Sequence, residues 1–186
     1  MALLLTGVTR KVLDQAPGFK IEANVQGTGR TTLPRMVHVI LTGSDMPVSS
    51  LGGNIEEQKK EMLATLLQSP AMVTYDNILD DSKVQDPVIA KVITSKYFKN
   101  RVLGKSQDAT VPTNTLICLT GNNITLCADL VRRFVTICLT VNDEQPENRI
   151  FKNPDVVQHC LNIRDDVILK GLIIIKAYFK NGGPLL

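Results

Sequence analysis

The sequence contains no tryptophan, and only 4% of its 186 residues are aromatic. Proteins that bind single-stranded nucleic acid mainly by base stacking place several aromatic rings along the binding groove. The scarcity of aromatic residues therefore argues against a stacking platform, or an aromatic sugar-binding groove, as the main binding device.

Histidine and closely spaced cysteine are also scarce. The two histidines, His38 and His159, are isolated, and the four cysteines show no C-x-x-C spacing. Zinc sites need clustered thiolates and imidazoles, so we expect no metal site built from these residue types. Unpaired cysteines in apolar segments fit a reducing compartment, and we expect a cytoplasmic protein.

Long hydrophobic runs are missing as well. The opening "MALLLTG" has no cationic region before it and is too short for a signal peptide. The most apolar late segment, residues 165–182, is interrupted by Lys170 and Lys176, so we expect no membrane span. The net charge of +3 permits a nucleic-acid partner but does not require one.

Short apolar runs alternate with amphipathic segments along the chain. Continuous runs such as "LICL" predict strands buried on both faces, and residues 55–68 have the apolar spacing of a helix. The alternation predicts an α/β fold, with a mostly parallel sheet flanked by helices. We expect a core over residues 1–150 and a small C-terminal element over 151–186, formed by a helical pair packed on the core.

Three polar clusters follow predicted strands. They are the glycine loop of residues 25–33, "VQGTGRTTL", the pair Asp76-Asn77, and "GNN" at residues 121–123. Ligands of parallel α/β sheets bind at the carboxyl ends of the strands. We therefore expect the three clusters to lie on one edge of the sheet.

The glycine loop follows a strand and precedes a helix, which is the context of a phosphate-binding loop. Arg30 stands where the motif has lysine, and Thr31 stands where a hydroxyl ligates Mg²⁺. Pro34 is a second departure, because we expect it about one turn into the helix, where it removes a hydrogen bond. The alternative is a strand–helix turn of small residues. The predicted nucleotide contacts are Gln26, Gly27, Thr28, Gly29, Arg30, Thr31 and Thr32.

The other clusters predict catalytic groups. Asp76 fits the strand-end acid that holds magnesium, although its neighbour is Asn77 rather than glutamate, which leaves Asp80 or Asp81 to polarise water. The alternative here is an ordinary acidic loop.

The amides of Asn122 and Asn123 suit a terminal phosphate or an attacking water. Arg132 and Arg133 end a short predicted helix and could neutralise transition-state charge, often on a neighbouring subunit. The alternatives are a turn for the asparagines and a favourable helix C-terminus for the arginines.

The order of "VQGTGRTT", "VTYDN", "VPTNTLICLTGNN" and "DLVRR" resembles the ATPase domain of phage- and plasmid-borne primase–helicase-like proteins, which are related to superfamily-3 and AAA+ ATPases. The resemblance covers nearly the whole chain. It implies a P-loop NTPase fold, ATP and Mg²⁺ as cofactors, a homo-oligomeric ring, and a helicase-type hydrolase of DNA replication.

The same resemblance implies residue roles. Residues 27–32 correspond to Walker A, Asp76 to Walker B, and Asn122 or Asn123 to sensor 1. Arg132 or Arg133 corresponds to the arginine finger. A hairpin around Gly104-Lys105 faces DNA, expected to be single-stranded, with Arg101 and Lys105 as phosphate contacts. The alternative for Lys105 is a solvated hairpin tip.

Other functions stay open. Arg30, Asn77 and Pro34 favour a scaffold that binds nucleotide or DNA without turnover. A small-molecule kinase would need a substrate lid and a basic phosphate clamp, and the sequence shows neither. A dinucleotide-binding fold is disfavoured because Thr32 stands where the third glycine of that motif belongs.

Overall fold

The computed structural model describes residues 1–25, 27–79, 82–141 and 152–183. The helices are α1 (Ala2–Thr9), α2 (Thr32–Thr42), α3 (Ile55–Leu67), α4 (Pro87–Thr94), α5 (Ala128–Val131) and α6 (Val156–Lys180), with a 3₁₀ turn over Arg10–Val12 after α1. The strands are β1 (Gly18–Ala23), β2 (Val48–Ser49), β3 (Met72–Ile78), β4 (Lys83–Val84), β5 (Tyr97–Arg101), β6 (Asp108–Pro112), β7 (Leu116–Gly121), β8 (Thr125–Leu126) and β9 (Phe134–Leu139).

Five strands form a central sheet in the order β2-β3-β7-β1-β9, and all of its pairings are parallel. Every residue of β7 is buried, as its continuous apolar run predicted. Strand β7 lies between β1 and β3, although it follows both of them along the chain. The predicted α/β fold with a parallel sheet is confirmed.

Alternate residues of the sheet face two different layers. Met72, Leu116 and Cys118 pack with residues of α1 and α2 on one face. Val73 and Ile117 pack on the other face with residues of α3, α4 and the β5–β6 hairpin. Because side chains alternate along a strand, a fully buried strand such as β7 supplies both cores.

The segment of residues 86–98, "DPVIAKVITSKYF", predicts a helix capped by Asp86, and α4 begins there but ends earlier, at Thr94. The carboxylate of Asp86 accepts hydrogen bonds from the amides of Val88 (2.8 Å) and Ile89 (2.9 Å), which caps the helix. The prediction that the helix continues to Phe98 was wrong, because Phe98 pairs with Val111 in the antiparallel β5–β6 hairpin. The predicted hairpin itself is confirmed.

The predicted C-terminal pair of helices is a single helix of 25 residues, α6. The carboxylate of Asp155 accepts a hydrogen bond from the amide of Gln158 (2.9 Å) at its start. Buried Cys160 packs with the apolar side of α2, and Gly171 lies against Leu5 of α1. A Cβ at Gly171 would meet Leu5 and Val8 at 3.6 and 3.9 Å, which are ordinary van der Waals distances, and the helix continues through this glycine.

The preceding connector, residues 142–151, lies outside the described residues. No helix in the described part of the chain has both the length and the apolar character needed to cross a bilayer.

Candidate functional site

The three polar clusters predicted from sequence lie on one edge of the sheet. Strands β1, β3 and β7 run parallel, so their carboxyl ends meet at the same edge. The glycine loop follows β1, Asp76 and Asn77 lie near the end of β3, and residues 122–123 follow β7. This edge is where an α/β sheet offers a ligand site.

The glycine loop curls before it enters α2. Gly27 and Gly29 have φ angles of 74° and 93°, a left-handed conformation that favours glycine. The hydroxyl of Thr28 donates to the carbonyl of Val25 and closes the loop. Helix α2 then begins at Thr32, and the amide of Leu33 already donates to the carbonyl of Gly29 (3.0 Å), so the positive end of the helix dipole lies at the glycine loop and favours an anion there. Gln26 lies outside the described residues.

Pro34 proves to be the third residue of α2. The sequence placed it about one turn into the helix, where it would remove a hydrogen bond. The amides on either side of it, those of Leu33 and Arg35, donate to the carbonyls of Gly29 (3.0 Å) and Thr31 (3.2 Å), so Pro34 interrupts this ladder by one hydrogen bond, as predicted. Proline fits the helical φ angle near a helix start, so α2 accommodates it.

Asp76 connects three elements. Its Oδ1 accepts a hydrogen bond of 3.0 Å from the hydroxyl of Thr31, the residue immediately before α2. The same oxygen accepts a hydrogen bond from the hydroxyl of Thr120, a fully buried residue near the end of β7. The carboxylate is thus held beside the loop by two hydroxyl groups, one from each neighbouring element.

Thr120 was missed from the sequence. The signal available was a polar residue at the end of an otherwise apolar strand, immediately before Gly121. Its role depends on β7 lying next to β3, and the sequence alone does not give that strand order.

Arg30 extends from the loop toward the end of β3. Its Nη2 donates to Oδ1 of Asn77 over 3.3 Å. Its Nη1 is buried and has no hydrogen-bond partner within the described ranges. A buried donor without an acceptor costs free energy, so an anion bound at this edge would satisfy the guanidinium.

The two polar turns beside the loop have unusual backbone geometry. Asn77 (φ 54°) and Asn123 (φ 49°) are left-handed, which asparagine tolerates better than most residues. The β3–β7 register shifts between Tyr75 and Ile78, so Asp76 and Asn77 occupy an irregularity of the kind that re-aims side chains at functional edges. Asn122 and Asn123 follow the neighbouring strand, as predicted.

A cavity of about 430 Å³ opens beside Asp76 and Asn77. It extends toward residues 48–52 and 82–86, on the side of α3. Its described lining does not include the glycine loop. The cavity therefore gives the end of β3 access to solvent from the side opposite α2. Asp80 and Asp81, the sequence candidates for polarising water, lie outside the described residues.

Arg132 and Arg133 lie at the opposite edge of the sheet. They precede β9, whose first residue, Phe134, pairs with the first residue of β1. Asp129 accepts hydrogen bonds from Arg132 (3.1 Å) and Arg133 (2.9 Å), and Arg133 also donates to the carbonyl of Ala90 (3.2 Å). The structure therefore does not bring these arginines to the glycine loop of their own chain.

The proposed DNA contacts lie on the β5–β6 hairpin, away from the loop. The Arg101 guanidinium donates to the carbonyl of Lys105 and to the hydroxyl of Ser106, each over 3.1 Å. Gly104 (φ 74°) forms the turn, and Lys105 is exposed. Arg101 thus stabilises the hairpin tip, and Lys105 presents its charge to solvent.

The residues around Asp76 fit a magnesium ion bound together with phosphate. Within the described ranges, no group of three or more histidine, cysteine or acidic residues could hold a metal by itself. Mg²⁺ that accompanies a nucleotide typically takes one or two protein oxygens, and phosphate oxygens and water complete its shell. The Thr31 hydroxyl and the Asp76 carboxylate supply such a pair.

Comparison with known proteins does not assign this chain to a family. The chain matches no protein-family model, and no curated protein matches it.

Proposed function

We propose that this chain binds ATP with Mg²⁺ at the carboxyl edge of its sheet and is the motor domain of a DNA helicase-like replication protein. The observation that carries the proposal is the hydrogen bond between Thr31 and Asp76 at the mouth of a left-handed glycine loop. A hydroxyl on a phosphate loop next to a strand-end carboxylate is the arrangement that holds nucleotide-bound magnesium.

Each part of the edge has a role in this proposal. The loop amides and the start of α2 bind the phosphates, and Arg30 supplies a positive charge to the outer phosphates. Thr31 and Asp76 ligate Mg²⁺, and the amides of Asn122 and Asn123 contact the terminal phosphate or orient the attacking water. The hairpin around Lys105 is the proposed contact with single-stranded DNA, in a homo-oligomeric ring.

A second candidate function is a scaffold that binds nucleotide without turnover. Two contacts favour it: Arg30 is engaged by Asn77, and Oδ1 of Asp76 already accepts two hydroxyl donors. Phosphate release with and without single-stranded DNA separates the two functions. DNA-stimulated release supports the motor, whereas nucleotide binding without released phosphate supports the scaffold.

The test of the site itself is the binding of a fluorescent ATP analogue in Mg²⁺ and in EDTA. We expect Asp76→Asn to weaken binding about tenfold in Mg²⁺ and to have little effect in EDTA, because only the metal-bridged contact is lost. Asp14→Asn, which changes an exposed aspartate paired with Lys96, is the matched control. Unchanged affinity of Asp76→Asn in Mg²⁺ would overturn the site.

A further inference from the structure

Helix α6 leaves much of its apolar surface exposed. Its amino-terminal half packs on α2 through Cys160, but the exposed fractions of Leu169, Leu172, Ile173 and Phe179 are 58%, 49%, 56% and 45%. Contiguous exposed apolar side chains of this size usually mark an interaction surface. Within the described ranges, no other element covers them.

A subset of the exposed residues forms one stripe along the helix, and Ile173, Ile174 and Tyr178 lie outside it. Its members recur at intervals of four or three residues, which is the spacing of a helix-packing seam. We define the α6 stripe as Leu161, Asp165, Leu169, Leu172, Lys176 and Phe179. The buried residues Cys160 and Gly171 lie on the opposite side of the helix.

The two charges in the stripe are placed symmetrically. Asp165 precedes Leu169 by four residues, and Lys176 follows Leu172 by four. The Asp165 side chain is 98% exposed, and its ion pair is with the adjacent Arg164, at 3.5 Å. The four residues Asp165, Leu169, Leu172 and Lys176 therefore have the same spacing from either end, with the charge sign reversed about the point midway between the two leucines.

We propose that the α6 stripe docks antiparallel on the α6 stripe of a second copy of this chain. Two-fold pairing about that midpoint places Asp165 of each copy opposite Lys176 of the other and brings the Leu169 and Leu172 side chains together. A parallel pairing would instead set Asp165 against Asp165 and Lys176 against Lys176.

This contact is isologous, since the same surface serves both copies. It is therefore distinct from the head-to-tail contact of a ring, and it does not depend on nucleotide binding. The leucines supply the apolar area, and the two ion pairs select a second copy in the antiparallel direction. The Lys180 stem also lies opposite Leu161 in this register, where a long aliphatic chain can cover a leucine.

The experiment is sedimentation equilibrium of the full chain over a range of concentrations. We expect a dimer, and we expect Asp165→Lys and Lys176→Asp each to weaken it about tenfold or more, because two-fold symmetry creates two like-charge contacts in either variant. The double variant should regain the affinity of the original chain. An equimolar mixture of the two single variants should form heterodimers, since each charge then meets its opposite.

The controls are Asp166→Lys and Lys170→Asp, which change the same charges on the same helix but outside the stripe. These residues form an ion pair with each other at 2.6 Å. A chain that stays monomeric, control variants that weaken association equally, or single variants that fail to form heterodimers would each overturn the proposal. Binding of the monomer to anionic vesicles would overturn it in favour of a lipid surface.

Discussion

At the scale of single residues, Arg30 is the main departure from an ordinary phosphate loop. Its guanidinium contacts Oδ1 of Asn77 through one nitrogen and leaves another nitrogen buried without a partner in the described part of the chain. A planar guanidinium held by Asn77 has less freedom to follow a phosphate than a compact ammonium on a flexible stem. In the proposed function, Arg30 therefore suits nucleotide binding better than it suits turnover.

Arg30→Lys should raise ATP turnover severalfold, because lysine restores a compact charge near the terminal phosphates and releases Asn77. The measurement is phosphate release by a malachite-green assay. Arg35→Lys, which alters an exposed arginine paired with Asp45, is the control. Identical rates for Arg30→Lys and the original protein would mean that this loop is not the catalytic site.

His38, on α2, is a second residue whose environment has a measurable consequence. It is buried, its Nδ1 has no partner among the described residues, and burial lowers the pKa of its imidazole despite the opposing charge of Asp45. The unfolded chain therefore takes up this proton at a higher pH than the folded chain does. Below about pH 6.5 the free energy of unfolding should fall as pH decreases, toward the lower folded pKa.

His38→Leu should flatten this dependence. Urea unfolding at pH 7 and pH 5 measures it, and the original protein should lose up to about 1.4 kcal/mol per pH unit more than the variant. The His159→Leu variant, which changes the other histidine, is the control. Parallel losses in the original protein and in His38→Leu would show that other groups cause the acid sensitivity.

At the scale of elements, the close approach of β3 and β7 positions the site. A Cβ atom on Gly121 would lie 2.6 Å from the carbonyl oxygen of Ile78 and 2.6 Å from the Ile124 side chain. Backbone cannot give way as a flexible side chain can. A glycine at this position therefore allows Thr120 and Asp76 to meet.

Gly121→Ala should separate the two strand ends. We expect it to lower the free energy of unfolding by about 1–3 kcal/mol and to weaken ATP binding in Mg²⁺. Thermal or urea unfolding and the fluorescent-nucleotide assay measure the two effects. Gly52→Ala is the control, since a Cβ there meets no atom within 4 Å. A fully stable Gly121→Ala protein with normal binding would contradict this account.

The comparison of sequence and structure is clearest at the ends of elements. The glycine loop and Asp76 were predictable because they directly follow strands, and parallel strands end at one edge. The strand β5 was missed at Phe98, since a buried apolar residue fits a helix or a strand equally well, and only pairing with β6 decides between them. The sequence predicted two C-terminal helices, but α6 runs through Gly171 as one helix. Only the tertiary structure, in which this residue lies against α1, shows that the helix continues.

The prediction for Arg132 and Arg133 lacked a different piece of information, namely their position in the sheet. Residue spacing predicted a role for Arg132 and Arg133 but did not show which edge of the sheet they occupy. They precede β9, and β9 is parallel to β1, so they must lie at the edge where strands begin. Chain order and strand direction together fix their position, but strand direction is known only once the sheet is known.

At the scale of the whole molecule, the position of Arg132 predicts cooperation between copies. It is the more exposed of the two arginines, with a side chain 75% exposed against 22% for Arg133. If Arg132 acts on the nucleotide of a neighbour, turnover per chain should rise with protein concentration. Arg132→Ala should lower turnover but leave the affinity for ATP in Mg²⁺ unchanged.

Mixing Arg132→Ala with Asp76→Asn provides the decisive measurement. Each variant alone should be nearly inactive, but mixed assemblies contain sites with an intact Asp76 next to an intact Arg132. Phosphate release should therefore recover in part on mixing. Lys11→Ala, a change at an exposed residue of the 3₁₀ turn, should neither lower turnover nor rescue the Asp76→Asn variant. No recovery in the mixture would place the arginine outside the reaction.

The separation of the glycine loop and Arg132 onto opposite ends of parallel strands gives each molecule a front and a back. Copies stacked front to back would all point the same way, and a closed circle of them would have a sense of rotation. A conformational change driven by one subunit of such a ring could pass to the next subunit in only one direction.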